Sequence, residues 1–318
     1  MTRYQREISV AIAYAALLAV LAVAAPAFYQ GDKLPQILVS SAPVLVAAVG
    51  MTLVILARHI DISIGSQFSI CGVLAGWLAQ SGLPMGLIVP VTLAAGAGLG
   101  AINGFFVAVL GLPSIVVTLA TLVILRESLR WAREGEFIRN LPDGFQWFGA
   151  GQGAGQGLIL GIALAVFVAF AIGLKYLAAG RAVYATGSDS EAARLAGIRP
   201  GRVVFRVFLV MGTLSGLAAL LNAVRFPDVD PNAGNGLELQ VIAAVVVGGV
   251  AISGGRGTLV GPLLGVVLLG TIGAALVFLG TQPYWEKAIQ GGIILLAVAS
   301  DALNLRRRSH GHGLTVPT

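Results

Sequence analysis

Residues 84–110 read PMGLIVPVTLAAGAGLGAINGFFVAVL, 27 positions without one Asp, Glu, Lys, Arg or His. A helix that crosses a bilayer needs about 20 predominantly apolar residues, and its backbone polar groups must pair internally because lipid offers no partners. This run satisfies the first condition with residues to spare. Outward from it, nine more runs have the same character: 8–28, 36–57, 66–80, 114–131, 157–177, 203–224, 237–252, 258–279 and 288–303. Several are short or interrupted by glycine, so eight to ten crossings are expected. The fold class that follows is all-α, a polytopic membrane protein of about ten transmembrane helices.

Composition supports this. Of 318 residues, 57% are apolar and 11% charged, against roughly 25% charged in a soluble domain. Mean hydropathy is +0.90. A soluble enzyme, a secreted disulfide scaffold and a disordered chain are all excluded. The one cysteine, Cys71, lies inside an apolar run and reads as a small packing residue. The formal charge of +6 does not call for nucleic acid, because the basic residues sit in short loops between apolar runs. With the N-terminus inside, 13 of the 20 Lys and Arg fall on the inner side with 5 acids, and 7 fall outside with 9 acids. That bias places both termini in the cytoplasm. Arg3 and Arg6 before an apolar stretch ending in small residues also resemble a signal peptide. Signal h-regions run about 7–15 residues, shorter than this stretch, so a retained first helix is preferred.

Two loops are long: 132–156 outside, and 178–202 inside, which carries most of the loop charge. The expected organisation is a transmembrane domain over 1–305 and a basic, flexible tail over 306–318, in which His310 and His312 are read as solvated tail residues. Gly96, Gly98, Gly100 and Gly104, the pair Gly212/Gly216 and the pair Gly261/Gly265 point to close helix packing, since small residues let backbones approach in lipid. Ile60–Gly65 (IDISIG) and Val250–Gly255 (VAISGG) share a faint pattern that hints at two related halves.

Catalytic and metal signatures are missing. There is no H-E-x-x-H, no Cys/His zinc spacing and no G-x-S-x-G. The three lysines follow Asp32, Leu174 and Glu286, so none stands in a phosphate-cradling Walker A loop. Arg58, Asp61, Arg126, Glu127, Arg225, Glu238 and Asp301 sit at predicted segment ends. Carboxylates absent from segment centres argue against ion coupling. A path for an uncharged polar solute needs hydrogen-bonding groups instead. Asn103, Asn222 and Gln240 are candidates, with Glu238 at an outer end; the competing role for each is helix–helix glue or capping.

The inner loop contains Ser188-Asp189-Ser190-Glu191-Ala192-Ala193-Arg194-Leu195-Ala196-Gly197-Ile198-Arg199-Pro200. Ser188 and Glu191 have capping-box spacing, Gly197 can end the helix, and Pro200 stops its continuation. The expectation is a helix of about two turns with an apolar face (Ala192, Leu195, Ala196) and a charged one (Glu191, Arg194). It is either an ordinary surface helix or a docking knob for a cytoplasmic partner.

Glu191-Ala192-Ala193-x-x-x-Gly197 resembles the E-A-A-x-x-x-G coupling motif of ABC importer permeases. Gly50-Met51-Thr52-Leu53-Val54-Ile55 with Ile60-Asp61-Ile62-Ser63-Ile64-Gly65-Ser66, Asn103-Gly104 with Leu112-Pro113-Ser114, and Gly236-Leu237-Glu238-Leu239 through Ser253-Gly254-Gly255-Arg256-Gly257 are similar to stretches of the ribose/xylose/autoinducer-2 sugar branch. His59 departs from that branch, where Gly is usual, and Ile115 replaces Phe. Arg58-His59-Ile60-Asp61, Phe137–Pro142 (FIRNLP) and Tyr284-Trp285 look closer to rhamnose and autoinducer-2 permeases.

The resemblance implies a permease subunit of an ATP-driven importer in the bacterial inner membrane. Its expected partners are cytoplasmic ABC ATPases, a second permease copy or paralogue, a periplasmic sugar-binding protein and membrane lipid, with no nucleic acid. It implies that Asp189, Glu191, Ala192, Ala193, Arg194 and Gly197 couple to the ATPase. The chain itself is expected to bind no cofactor, ATP and Mg being used by the partner. An ion-coupled secondary carrier is the reading from another class.

Overall fold

The computed structural model describes residues 5–29, 31, 33–278, 280, 285, 287–292 and 294–295. The tail over 306–318 and most of the expected last crossing, 288–303, lie outside them. The described chain is helical: α1 (Gln5–Ala24), a 3-10 turn (Pro26–Tyr29), α2 (Lys33–Leu56), α3 (Ile64–Gln80), α4 (Met85–Ala108), α5 (Ser114–Arg133), a second 3-10 turn (Gln146–Gly149), α6 (Gln152–Tyr176), α7 (Ala178–Ser188), α8 (Ser190–Leu195), α9 (Pro200–Ala223), α10 (Leu237–Val247) and α11 (Val260–Phe278). Among the described residues the only β pairing outside these helices is a single bridge between Ile138 and Val229. The protein is an all-α polytopic membrane protein; α1, α2, α4, α6 and α9 are long and apolar enough to cross a membrane.

Helix α2 is the hub. It is buried almost continuously from Val39 to Leu56, and α6, α9, α10 and α11 pack around it. The expected glycine seams form. A Cβ on Gly96 would fall on the Gly212 carbonyl, 3.1 Å from its carbon, and one on Gly216 would stand 2.8 Å from the Thr92 carbonyl oxygen. Helices α4 and α9 therefore touch backbone to backbone, which only small residues permit. Gly261 and Gly265 do the same for α11 against Gly248 and Ala244 of α10. Gly98, on the same helix as Gly96, meets nothing and takes no part in the seam.

The two ends of the bundle are distinct. At the basic end, the Gly255 N–H donates to the Leu56 carbonyl at 2.9 Å, Thr258 donates to Glu7, and Gly201 lies against Ala108. At the opposite end, Ile138 and Val229 exchange both backbone hydrogen bonds at 3.0 Å, and the Trp147 N–H donates to the Val224 carbonyl. This sorting agrees with the loop sides assigned from charge.

One short helix corrects an expected crossing. α10 runs only from Leu237 to Val247 instead of to 252; at about 1.5 Å per residue it is about 16 Å long, half of an apolar core of about 30 Å. Its first turn meets the first turn of α3. A Cβ on Gly234 would stand 2.8 Å from the Gly65 carbonyl carbon, and one on Gly65 would stand 3.3 Å from the Glu238 carboxyl carbon. The chain from Val224 to Gly236 thus descends from the outer end into the bundle. Residues 57–63 turn back into it from the basic end. Hydropathy alone reads such stretches as loops and misses that they are buried in protein, the condition under which irregular backbone is tolerated at membrane depth.

Candidate functional site

Three groups of side chains stand along one axis of the molecule. The first is the inner loop. It holds two helices rather than the single one expected. Ser188 closes α7, and the cap belongs to Asp189, one residue later: its carboxylate accepts from the Glu191 and Ala192 N–H groups at 2.9 and 3.0 Å. Asp189 has the extended backbone of an N-cap (φ −159°, ψ 107°) and offers an anion to the positive end of the helix, whereas Ser188 is still helical. Glu191 does not reach back as a capping box would. It takes a two-pronged hydrogen bond from Arg194, Nη2 at 2.5 Å and Nε at 3.0 Å. The Arg194 guanidinium holds the Glu191 carboxyl below the usual range and is itself raised by the pair.

Ala193 is the buried residue of α8, while Leu195 is 78% exposed and Ala192 and Ala196 are exposed beside it. The apolar face points away from the protein. Gly197 ends the helix at φ +83°, the left-handed conformation that glycine takes without steric cost. Pro200 opens α9 at its first turn, a favoured place because the proline's missing N–H has no helical partner there.

Behind this knob, α7 is locked to two other basic-end segments. A Cβ on Gly187 would fall on the Leu56 carbonyl and lie 2.9 Å from the Gly255 nitrogen. The Tyr184 hydroxyl donates to the Gly257 carbonyl at 2.8 Å. Helix α7, which leads into α8, is therefore in direct backbone contact with the end of the hub helix α2 and with the turn after α10.

The second group lies within the bundle. Fully buried Asp61 accepts from the Ser63 N–H at 2.9 Å, the Ser63 hydroxyl at 2.6 Å and Gln67 Nε2 at 3.2 Å. Asn103 donates to the Ser63 hydroxyl at 2.8 Å and accepts from Thr121 at 2.7 Å. Of its two readings, Asn103 takes the role of glue, tying α3, α4 and α5. Arg126 Nη2 pairs with Glu238 Oε1 at 3.1 Å, with side chains 23% and 10% exposed, and Glu238 Oε2 has no hydrogen-bond partner. Arg126 lies twelve residues past Ser114, about 18 Å along α5. Asp61 and Glu238 stand at helix ends as expected, ahead of α3 and in the first turn of α10, but those ends are buried in the bundle, and Arg126 stands inside α5; the argument drawn from absent internal carboxylates falls with that burial. Glu238 is held in the first turn of α10, where the helix dipole favours an anion.

The third group is a basin at the outer end, a cavity of about 480 Å³ and within the size range of small-molecule sites. Asn222, Asp228, Asp230 and Ser69 supply polar groups, and Phe68, Phe137 and Phe226 supply aromatic walls. Carboxylates and amides that accept and donate hydrogen bonds, set among aromatic faces, suit a neutral hydroxyl-rich solute. Of the four path candidates only Asn222 is here. Gln240, on a half-exposed part of α10, is not among the lining residues. Asp228 and Asp230 were legible only as two acids around Val229; the basin forms because the Val229–Ile138 bridge folds their segment over α3.

The family model described as branched-chain amino acid transport system / permease component matches residues 34–298. The ribose import permease protein RbsC of Escherichia coli K12 is 35% identical over 91% of this chain and 92% of its own length. The autoinducer 2 import system permease proteins LsrC of Photorhabdus laumondii and Yersinia enterocolitica are 32% and 31% identical, over 93% and 98% of this chain and 89% of their own lengths. No solved structure matches the chain.

Proposed function

The chain belongs to the branched-chain amino acid transport system / permease component family, and from that membership we propose that it is the membrane subunit of an ATP-driven importer of a monosaccharide-sized sugar in the inner membrane. The observation that carries the reading is the rigid backing of α8 by Gly187, Leu56 and Gly255. A cytoplasmic ATPase, which would use ATP and Mg, closes on α8 through Asp189, Glu191, Ala192, Arg194, Leu195 and Gly197, with Ala193 as the buried anchor. The movement passes to α2 and to the half-helix α10. A periplasmic binding protein delivers the sugar over the outer basin, and a second copy or paralogue of the permease completes the path. Autoinducer-2 and rhamnose-like sugars remain the substrates favoured by the residues near Arg58 and Phe137, and ribose stands equally well on likeness to known permeases.

The test is uptake into proteoliposomes holding the permease with its co-purified ATPase, driven by internal ATP and by each sugar presented on its binding protein. Uptake of one sugar that requires ATP and survives an ionophore is expected. Uptake that collapses with the ionophore while ATP is constant would mean an ion-coupled carrier.

A further inference from the structure

A second cavity, of about 390 Å³, lies near the basic end and shares no lining residue with the outer basin. Helices α6 and α9 form its sides, α7 its floor and Leu53 of α2 its back wall, with Phe170, Leu174, Val183, Val207 and Val210 facing inward. Among the lining residues Arg206 is the single charge. Arg206 is exposed, and no described residue brings it an anion. It stands six residues past Pro200, about 9 Å along α9, in the second turn from its basic end. Helix α6 is mostly unburied within the protein, so the groove opens sideways, where lipid lies, and not toward the solute basin.

We propose that this groove binds one anionic phospholipid of the inner leaflet, with an acyl chain against α6 and α9 and its phosphate on Arg206. Charge decides the class: a lone guanidinium over an apolar slot matches a headgroup phosphate with a chain below it, and juxtamembrane cations are attracted to anionic lipid. A bound chain would touch Gly180 and Val183 of α7, the helix that backs α8. The lipid would therefore stiffen the coupling end, whichever sugar is carried.

The test is native mass spectrometry of the purified full-length chain titrated with dioleoyl phosphatidylglycerol and, separately, dioleoyl phosphatidylcholine. Wild type should retain one phosphatidylglycerol in preference to phosphatidylcholine. Arg206→Gln should weaken that retention about five-fold while leaving phosphatidylcholine unchanged. Ala169→Phe, which fills the groove from its exposed edge, should reduce both, and its thermal melting separates a filled groove from a misfolded protein. Equal retention of the two lipids by wild type, or undiminished phosphatidylglycerol on Arg206→Gln, overturns the proposal. So does an Ala169→Cys variant that cross-links to a second copy of the chain in membranes, because the groove would then be covered by protein.

Discussion

The basic end and the outer basin are built from opposite materials. At the basic end Gly187, Gly254, Gly255 and Gly257 bring α7, the end of α2 and the turn after α10 into backbone contact. At the outer end Asp228, Asp230, Asn222 and Ser69 stand around open space between aromatic walls. Glycine removes side chains so that displacement passes undamped; the basin keeps polar side chains apart so that a solute can enter. On the function proposed above, the difference gives transmission to one end and reception to the other.

The sharpest way to break that comparison is Gly187→Val. Its side chain would fall on the Leu56 carbonyl, and overpacking at fixed backbone costs about 1–3 kcal/mol or more. ATP-driven uptake in vesicles should be abolished, whereas Gly98→Val, which meets nothing, should transport normally. Equal behaviour of the two would refute transmission through the close contact.

Next is Arg126→Ala, which leaves Glu238 buried without its cation. Removing one partner of such a pair costs about 3 kcal/mol, read as a lower melting temperature, and Arg126→Met with Glu238→Gln should recover most of it. If the double variant melts no higher than the single, the pair is not what joins α5 to α10.

Within the basin, Asn222→Ala should raise the KM for uptake by about three- to ten-fold, the worth of one hydrogen bond, with melting unchanged. An unaltered KM would remove the basin from the path.

At the coupling helix, Asp189→Ala should cost ~1 kcal/mol of local helix stability, seen as faster amide exchange over residues 190–195 and weaker stimulation of the ATPase. Gly197→Glu or deletion of Glu191–Ala193 should uncouple ATP hydrolysis from uptake while the protein still reaches the membrane.

The smallest effect concerns pH. Arg194 lowers the Glu191 pKa, so the pair's contribution is complete above the ordinary carboxylate range and is lost as pH falls through the lowered value. ATPase stimulation should stay flat around neutral pH and show no dependence on this pair until acid conditions. A drop near neutrality in wild type that is absent in Glu191→Gln would contradict that sign.

Much of this was readable before the fold. The apolar runs located α1, α2, α4, α6 and α9 to within a few residues, because length and hydropathy suffice where a helix spans the membrane alone. The Gly100/Gly104 and Gly212/Gly216 spacing announced a seam, though which helices share it needed the structure. Helix α8 was visible from its residues, but its cap was read at Ser188 instead of Asp189. Both residue types cap well, and only the backbone at Asp189 decides between them. Asn103 was legible as a polar residue open to two roles, path or helix–helix glue, and its bonds to Ser63 and Thr121 came only from the fold.

Membership in a polytopic all-α class, the sidedness of the loops and the position of the coupling segment follow from local properties of the chain: hydropathy, charge and motif. The meeting of Gly65 with Gly234, the Arg126–Glu238 pair and the basin around Asn222 were decided by tertiary structure alone. They join residues far apart in the chain, and what makes each of them work is the desolvation and close approach that packing creates.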